Sequence, residues 1–341
     1  MQKEDIQLQQ VIVHIMDSTM GMPVLSDQIL DWGPDLGDFL RAHIFRVMES
    51  DEARQCVFQE DSVVGELLKD RREAAWSPEE FVDLTRKIGE HLYGIMNKNI
   101  DIPPADLFAI RCRMEQKDFL ALLKMNYKTS YTHMTDSDPW GNTNSIIKQK
   151  AILPGENQKL AEAAVIDLTE LSIRLVEKKY EINGVKTNYF SQNFLQCRGP
   201  MSPKSRLAVV ARAVEDVQKK FYQESEQFEV QMETKSIINQ ALEEGSFAVP
   251  VLIDRIFREQ EEMKEEVVKK LDKYNLSEAQ VEPKNPSTGK KYEKQNLITD
   301  TGIEIRIPMD QYNNKDSVDF ITNPDGTISV LIKNIGSITS R

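Results

Sequence analysis

The sequence predicts an α+β fold in several parts, and the order of its local patterns is the reason. Residues 1–199 mix stretches of alternating apolar and polar residues with stretches of helical spacing, which indicates antiparallel strands, hairpins and helices together. Because strands and helices do not alternate regularly, the order argues against a doubly wound parallel sheet. We predict a mixed α/β N-terminal domain (1–199), a helical middle region (200–281), a linker (282–296) and a small C-terminal β-hairpin element (297–341).

Length and charge restrict the class of protein. The 341 residues carry a net charge of −12, and 40% of them are hydrophobic, as expected of a folded chain with two or three domains. Phosphate neutralisation needs lysine and arginine, so this balance argues against a broad DNA-binding surface but leaves room for a local basic patch. There is no apolar run of membrane-spanning length, and the polar start MQKEDIQLQQ has no signal core. Three scattered cysteines imply no disulfide framework, so we expect a reducing cytoplasm.

Local signals define the elements of the first domain. Ser77 is a natural N-cap with Pro78 at the first helical position, so a helix begins there. Residues 108–114 alternate with a period of two before the turn EQKD, which predicts a β-hairpin, and Asn183-Gly184 predicts another. The predicted elements are a strand at 11–17, helices at 35–50, 61–74 and 77–99, a hairpin within 105–129, a loop at 135–145, and strands near 146–152, 163–176 and 180–190.

The remainder of the chain is first helical and then β. Ser202 and Pro203 repeat the helix-start signal, and an apolar stripe follows at helical spacing. The linker composition, with two prolines, a glycine and four lysines, separates these helices from the closing strands. The predicted elements are helices from 203 and at 226–244 and 249–274, a strand at 302–308, and two strands joined by a turn at 323–326.

The spacing of reactive side chains gives no catalytic, metal or phosphate site. An EF-hand register on DSDPWGN places Trp140 and Ile147 where calcium ligands are required. NPSTGKKY contains a Gly-Lys pair, but Lys284, five positions before Gly289, stands where a phosphate loop needs its first glycine. The histidines share no metal spacing and are each better explained as structural; they are His14, His43, His91 and His133. We therefore expect no cofactor, no metal and no enzyme.

Two groups of basic side chains are the candidates for DNA contact. One surrounds a helix start, where backbone N–H groups add to the positive field. The other lies on one face of the predicted hairpin, and such ribbons can enter a DNA groove. The ordinary alternatives are a joint between two domains and a half-exposed strand. The candidates are Arg198, Lys204, Arg206 and Arg212 at the helix start, and Arg111 and Arg113 on the hairpin.

The succession of elements resembles a known family. VIVHIMD is followed by LSDQILDW, the hairpin FAIRCRMEQKDFLALLKM and the strand AAVIDLTELSIRL. YFSQNFLQCRG then precedes a helix that holds LAVVARAVEDV, and the closing β pair reads FITNPDGTISVLIK. Across residues 8–335 this order resembles the bacterial 37-kilodalton nucleoid-associated protein family. The resemblance implies a bacterial cytoplasmic protein that co-localises with the nucleoid and is not an enzyme.

Two functions stay open at this point. The first is a non-enzymatic nucleoid-associated protein that binds chromosomal DNA directly or through a DNA-bound partner, such as a DNA-processing protein. The alternative is an acidic protein-interaction or inhibitory module that acts on a DNA-binding enzyme, because a net charge of −12 steers towards basic partners. No membrane partner is expected. Homo-oligomerisation is left open, with the charged helix at 249–274 as a candidate contact.

Overall fold

A seven-stranded antiparallel sheet forms the centre of the first of two units, Met1–Met201 and Ser202–Arg341. The computed structural model describes residues 2–70, 76–323 and 325–339. The strands of the first unit are β1 (Gln7–Met16), β2 (Arg54–Phe58), β3 (Ala105–Met114), β4 (Lys117–Asn126), β5 (Lys128–Asp138), β6 (Gly141–Ile152), β7 (Glu162–Asp167), β8 (Ser172–Val176), β9 (Tyr180–Ile182), β10 (Val185–Thr187) and β11 (Cys197–Arg198). The sheet runs in the order β1-β3-β4-β7-β8-β2-β11, and β5–β6 and β9–β10 form two separate hairpins.

Helices cover both faces of this sheet. The helices of the first unit are α1 (Pro34–Met48), α2 (Val63–Lys69) and α3 (Pro78–Lys98), and a short π-helix spans Phe190–Phe194. Leu107 and Ala109 of β3 lie in the core that includes α3, whereas Phe108 and Ile110 lie in the core that includes α1. Because side chains alternate across a strand, two covered faces require apolar residues at successive positions. For this reason β7 is buried at all of its 6 positions.

The helix start at Ser77 is a capping box. The Ser77 hydroxyl accepts a hydrogen bond from the Glu80 N–H at 3.2 Å, and the Glu80 carboxylate accepts one from the Ser77 N–H at 2.9 Å. Pro78 occupies the first helical position, as predicted. A serine N-cap also begins the first helix of the second unit, where the Ser202 hydroxyl accepts a hydrogen bond from the Ser205 N–H at 3.2 Å.

The second unit combines a group of helices with three small β pairs. Its helices are α4 (Pro203–Phe221), α5 (Glu224–Glu243), α6 (Val249–Phe257), α7 (Glu261–Asp272) and α8 (Met309–Tyr312). Its strands pair antiparallel as β12 (Phe247–Ala248) with β13 (Gln280–Val281), β14 (Lys294–Ile298) with β15 (Glu304–Pro308), and β16 (Val318–Thr322) with β17 (Ile328–Ile332). The apolar stripe predicted for α4 is buried at Leu207, Val210, Val214 and Val217.

The α+β fold class is confirmed, and two local predictions are wrong. The segment 135–145 is not a loop, because it forms most of the outer half of the β5–β6 hairpin around a two-residue turn. The helical stretch predicted at 249–274 is two helices, because Arg258 takes a left-handed conformation (φ 45°) and ends α6. Of the helix predicted at 61–74, α2 forms the first part, and residues 71–75 lie outside the described residues. The four predicted domain ranges stay predictions.

Candidate nucleic-acid interface

The hairpin β5–β6 is the most exposed element of the first unit. It is inserted between the neighbouring sheet strands β4 and β7, and we call it the ribbon (Lys128–Ile152). All 11 residues of β5 are exposed, and so are most of the 12 residues of β6. At about 3.4 Å per residue, strands of this length span roughly 35 Å. The ribbon therefore presents both of its faces to solvent.

The pairing register separates the ribbon side chains into two faces. Residues directly opposite each other in an antiparallel pair share a face, and successive residues alternate between faces. The acid-free face carries Tyr131, His133, Thr135, Ser137, Asn142, Asn144, Ile146 and Lys148. The acid-bearing face carries Ser130, Thr132, Met134, Asp136, Asp138, Gly141, Thr143, Ser145, Ile147 and Gln149. Both aspartates of the ribbon thus lie on one face, and the other face has no carboxylate.

A tight turn at Pro139 and Trp140 closes the ribbon. The Asp138 carboxylate accepts a hydrogen bond from the Trp140 N–H at 2.8 Å, which uses that carboxylate within the turn. Gly141 follows at φ 140°, a backbone conformation that residues with a side chain rarely adopt. The Trp140 indole is 95% exposed, whereas Trp76 is buried. The tip of the ribbon is therefore a turn with a defined backbone conformation that carries a solvent-exposed indole.

The acid-free face offers hydrogen-bond donors near the tip and a positive charge further back. The Thr135 hydroxyl donates a hydrogen bond to Asn144 Oδ1 at 2.7 Å, which leaves the Asn144 amide nitrogen to donate outward. Lys148 and Lys150 are exposed, and neither forms an ion pair with any described residue. Lys128, at the base of the ribbon, donates a hydrogen bond to Gln158 Oε1. This half of the surface can contact anions without competition from a local carboxylate.

Arg111 and Arg113, the predicted hairpin candidates, lie within the seven-stranded sheet instead of on a free ribbon. Both bind one carboxylate: Arg111 Nη2 is 3.1 Å from Asp118 Oδ2, and Arg113 Nε is 2.9 Å from Asp118 Oδ1. Burial alone would raise the pKa of Asp118, but the two arginines hold it below its ordinary value. The Arg111 guanidinium also lies over the Trp76 ring at 4.9 Å. Their charge is largely engaged inside the protein.

The other predicted candidates are divided between the two units. Arg198 lies exposed on β11 of the first unit, whereas Lys204, Arg206 and Arg212 lie on α4 of the second. Arg206 Nη1 donates a hydrogen bond to the Gln280 carbonyl at 3.0 Å. Arg212 is exposed and forms no ion pair with a described residue. Within the second unit, Arg212 is thus the candidate whose guanidinium is best placed for an outside anion.

The cavities and the groups of possible metal-ligating side chains offer little for catalysis or metal binding. A cleft of about 310 Å³ beside α2 is lined by three carboxylates, Glu60, Glu66 and Glu170, and by Lys69. Lys69 Nζ lies 3.4 Å from the Glu66 carboxylate, and Lys117 Nζ lies 2.7 Å from that of Glu170. Over the part of the chain that the structure describes, no three histidine, cysteine or carboxylate side chains cluster as a metal site would require. Within that part there is also no helix that is long and apolar enough to span a membrane.

The predicted candidates did not include the ribbon, although the sequence contains a signal for it. Asp138-Pro139-Trp140-Gly141 has the residue types of a tight turn, and hydroxyl and β-branched residues flank it on both sides. The ribbon is rich in Asp, Asn and Ser, as loops are, because neither of its faces packs against a core that would require apolar residues. The faces of the ribbon become visible only from the pairing register.

The fold and its exposed surfaces define an α+β protein with a projecting two-stranded ribbon. Residues 12–338 match the sequence model of a protein family that is described as nucleoid-associated protein YejK. The chain belongs to this bacterial nucleoid-associated protein family, in agreement with the resemblance found in its sequence. No curated protein matches the chain. Membership of this family indicates association with the nucleoid, so surfaces that can contact DNA are the relevant ones.

Proposed function

We propose that this protein is a non-enzymatic cytoplasmic factor that binds chromosomal DNA directly through the acid-free face of the ribbon. One observation carries the proposal: Lys148, His133 and two asparagines share a face without carboxylates, in a chain of net charge −12. Phosphates attract cations and repel carboxylates, so a protein this acidic can meet DNA only where its acidic residues are turned away. The ribbon fulfils that condition.

The shape of the ribbon supports the same proposal. Two-stranded β-ribbons are among the elements by which proteins enter a DNA groove, so the shape of this element suits the contact. The lysines near the base contact phosphates, while the uncharged donors near the tip reach base edges. Arg212 on α4 is proposed as a secondary phosphate contact, and the remaining predicted arginines and lysine rank below it because internal partners engage several of them.

Fluorescence anisotropy of a labelled duplex tests direct binding. Wild type is titrated at about 50 mM and about 200 mM salt, together with the double variant Lys148→Glu/Lys150→Glu. We expect binding that weakens with salt and falls at least about tenfold in the variant, because two phosphate contacts become repulsive. Lys179→Glu/Lys186→Glu is the matched control, since these lysines are also exposed on the first unit without ion pairs to described residues.

Two results would contradict the proposal. Absence of binding at the lower salt would leave recruitment by a DNA-bound protein as the route to the nucleoid. Equal losses in both double variants would show that the overall charge matters and that the ribbon does not.

A second candidate function rests on the acidic cleft beside α2. A basic segment of a DNA-processing protein would bind Glu60 there and would compete with Lys69 and Lys117 for Glu66 and Glu170, which is the interaction or inhibitory module considered above. Affinity capture with and without nuclease separates the two functions. Partners that survive nuclease treatment and are lost in Glu66→Lys support the cleft, and partners that disappear with the DNA support the ribbon.

A further inference from the structure

We infer that Trp140 is a wedge that enters between stacked base pairs of the bound duplex and bends it. This inference rests on the proposed function, because the ribbon has to deliver the indole to DNA. The indole is the largest side chain at the tip and is 95% exposed, so it packs against almost nothing in its own unit. An indole is mostly apolar surface, and a bare one at the end of a projecting ribbon is suited to a contact outside the chain.

The backbone under the indole is fixed in advance of any contact. Pro139 restricts its own φ, and the Asp138 carboxylate holds the Trp140 N–H at 2.8 Å. Gly141 supplies the φ of 140° that the strand needs to turn back. A pre-formed tip loses little conformational freedom on insertion, which is what a wedge requires.

The side chains next to the indole favour DNA over a protein partner. The four residue pairs nearest the tip contain no large apolar side chain; the first ones are Met134 and Ile146 further back. An apolar protein pocket would select a larger apolar patch around its anchor than a single indole. Instead, the acid-free face supplies short uncharged groups on both strands, and they are Thr135, Ser137, Asn142 and Asn144.

These groups match the chemistry of the minor groove. At A·T pairs that groove displays only acceptors, and the Asn144 amide is left as a donor because Thr135 occupies its oxygen. Proteins that bend DNA from the minor groove combine such donors with an inserted apolar side chain. The Asp136 carboxylate lies on the opposite face, so the acid-free face has to be the one that meets the groove. With the acid-free face towards the groove, the hydrogen-bond donors, the Trp140 indole and the lysine charge can all contact DNA at once.

Bending is measured on the full chain with a duplex of about 30 base pairs that carries a donor and an acceptor dye at its ends and central TA steps. Wild type is expected to raise energy transfer between the dyes and to quench the exposed tryptophan emission. Trp140→Ala, added at concentrations that saturate the duplex, is expected to leave energy transfer unchanged. Trp140→Phe retains part of the bend, because a smaller ring still separates base pairs.

The outcomes separate this inference from the proposed function. Absence of binding by wild type in the anisotropy titration overturns both. Binding without bending, or bending that Trp140→Ala retains, overturns the wedge and leaves the ribbon contact standing. Binding in which iodide still quenches the indole as in the free protein also overturns the wedge.

Discussion

Lys124 and Glu162 form an oppositely charged pair in the core of the first unit, and their neighbours determine what each contributes. Lys124 and Glu162 are both buried, with Lys124 Nζ at 3.8 Å from Glu162 Oε2 and 3.1 Å from the Pro103 carbonyl. The Asn126 amide and the Tyr189 hydroxyl donate the remaining hydrogen bonds to Glu162, at 3.0 and 3.3 Å. A network in which each member has partners ties β4 to β7, so removal of one charge should be more damaging than removal of both.

We predict that Lys124→Met lowers the free energy of unfolding by about 3–5 kcal/mol, because it leaves the Glu162 carboxylate buried without its cation. Lys124→Met/Glu162→Gln should recover a large part of that loss. Urea denaturation at neutral pH measures both. A double variant that is less stable than the single one would contradict this account of the pair.

His14 provides a prediction about pH. Burial, followed by the nearby Arg86, lowers the pKa of His14 to about 4 in the folded chain. Between pH 6.5 and 4 the unfolded chain therefore binds a proton that the folded chain does not, so stability falls as the pH falls through that window. We expect His14→Asn, which keeps an acceptor for the Ser26 N–H, to remove about 2 kcal/mol of the stability loss between pH 7 and 5.

The exposed His133 is the matched control for this measurement. His133→Asn should leave the pH dependence of the urea midpoint as it is in wild type. If the two variants show the same pH dependence, groups other than His14 cause the loss at low pH, and the proposed role of His14 is wrong.

At the scale of elements, β11 depends on a close approach of its backbone to β2. A Cβ atom at Gly199 would lie 2.1 Å from the Gln55 carbonyl oxygen and 2.9 Å from Cys56 Cα. Both contacts are with backbone, which cannot move aside as a flexible side chain can. The segment that links the two units therefore needs glycine at this position because of a strand contact and not because of a turn.

We predict that Gly199→Ala destabilises the first unit by at least about 2 kcal/mol, because β11 has to move away from β2. Gly155→Ala is the control, since a Cβ atom there meets nothing within 4 Å. Thermal unfolding of the two variants measures the difference. Equal melting temperatures would show that β11 contributes no stability.

For the ribbon we predict little effect on stability, in contrast to Gly199, because no core depends on the ribbon. An isolated two-stranded hairpin is marginally stable in water, so its amides should exchange with solvent far faster than those of β4 and β7. Replacement of residues 131–148 by a two-residue Asn-Gly turn should change the free energy of unfolding by less than about 1 kcal/mol and abolish DNA binding. Hydrogen exchange and the anisotropy titration check the two parts, and a large loss of stability would contradict the first.

Local signals predicted the elements that depend on local chemistry. Ser77 and Ser202 mark helix starts because the capping hydrogen bond spans only four successive residues, and Asn183-Gly184 marks a hairpin because both residues take positive φ. The end of α6 at Arg258 has no such local signal. The basic candidates were found by charge alone, but the engagement of Arg111 by Asp118 on the neighbouring strand is a property of the register.

At the scale of the whole molecule, charge sets the strength of the proposed contact. Acidic residues outnumber basic ones in both units, so favourable phosphate contacts are confined to a few lysines. Each phosphate neutralised on a duplex contributes about −0.9 to the slope of log affinity against log salt concentration. We predict a slope of about −2 to −3 for the full chain, from anisotropy at several salt concentrations. A slope near −8 would require a broad basic surface and would contradict the ribbon as the principal contact.

The insertion of the ribbon between β4 and β7 also has a mechanical consequence. Tyr127 alone separates β4 from β5, and its hydroxyl donates a hydrogen bond to Asp106 Oδ1 at 2.6 Å on β3. A pull on the tip is therefore carried directly along β4, which is hydrogen-bonded to strands on both sides. Strands loaded along their length have to break many hydrogen bonds at once before they slide. If the tip binds DNA as we propose, an enzyme that drags on that DNA would have to break the hydrogen bonds on both sides of β4 to unravel the sheet.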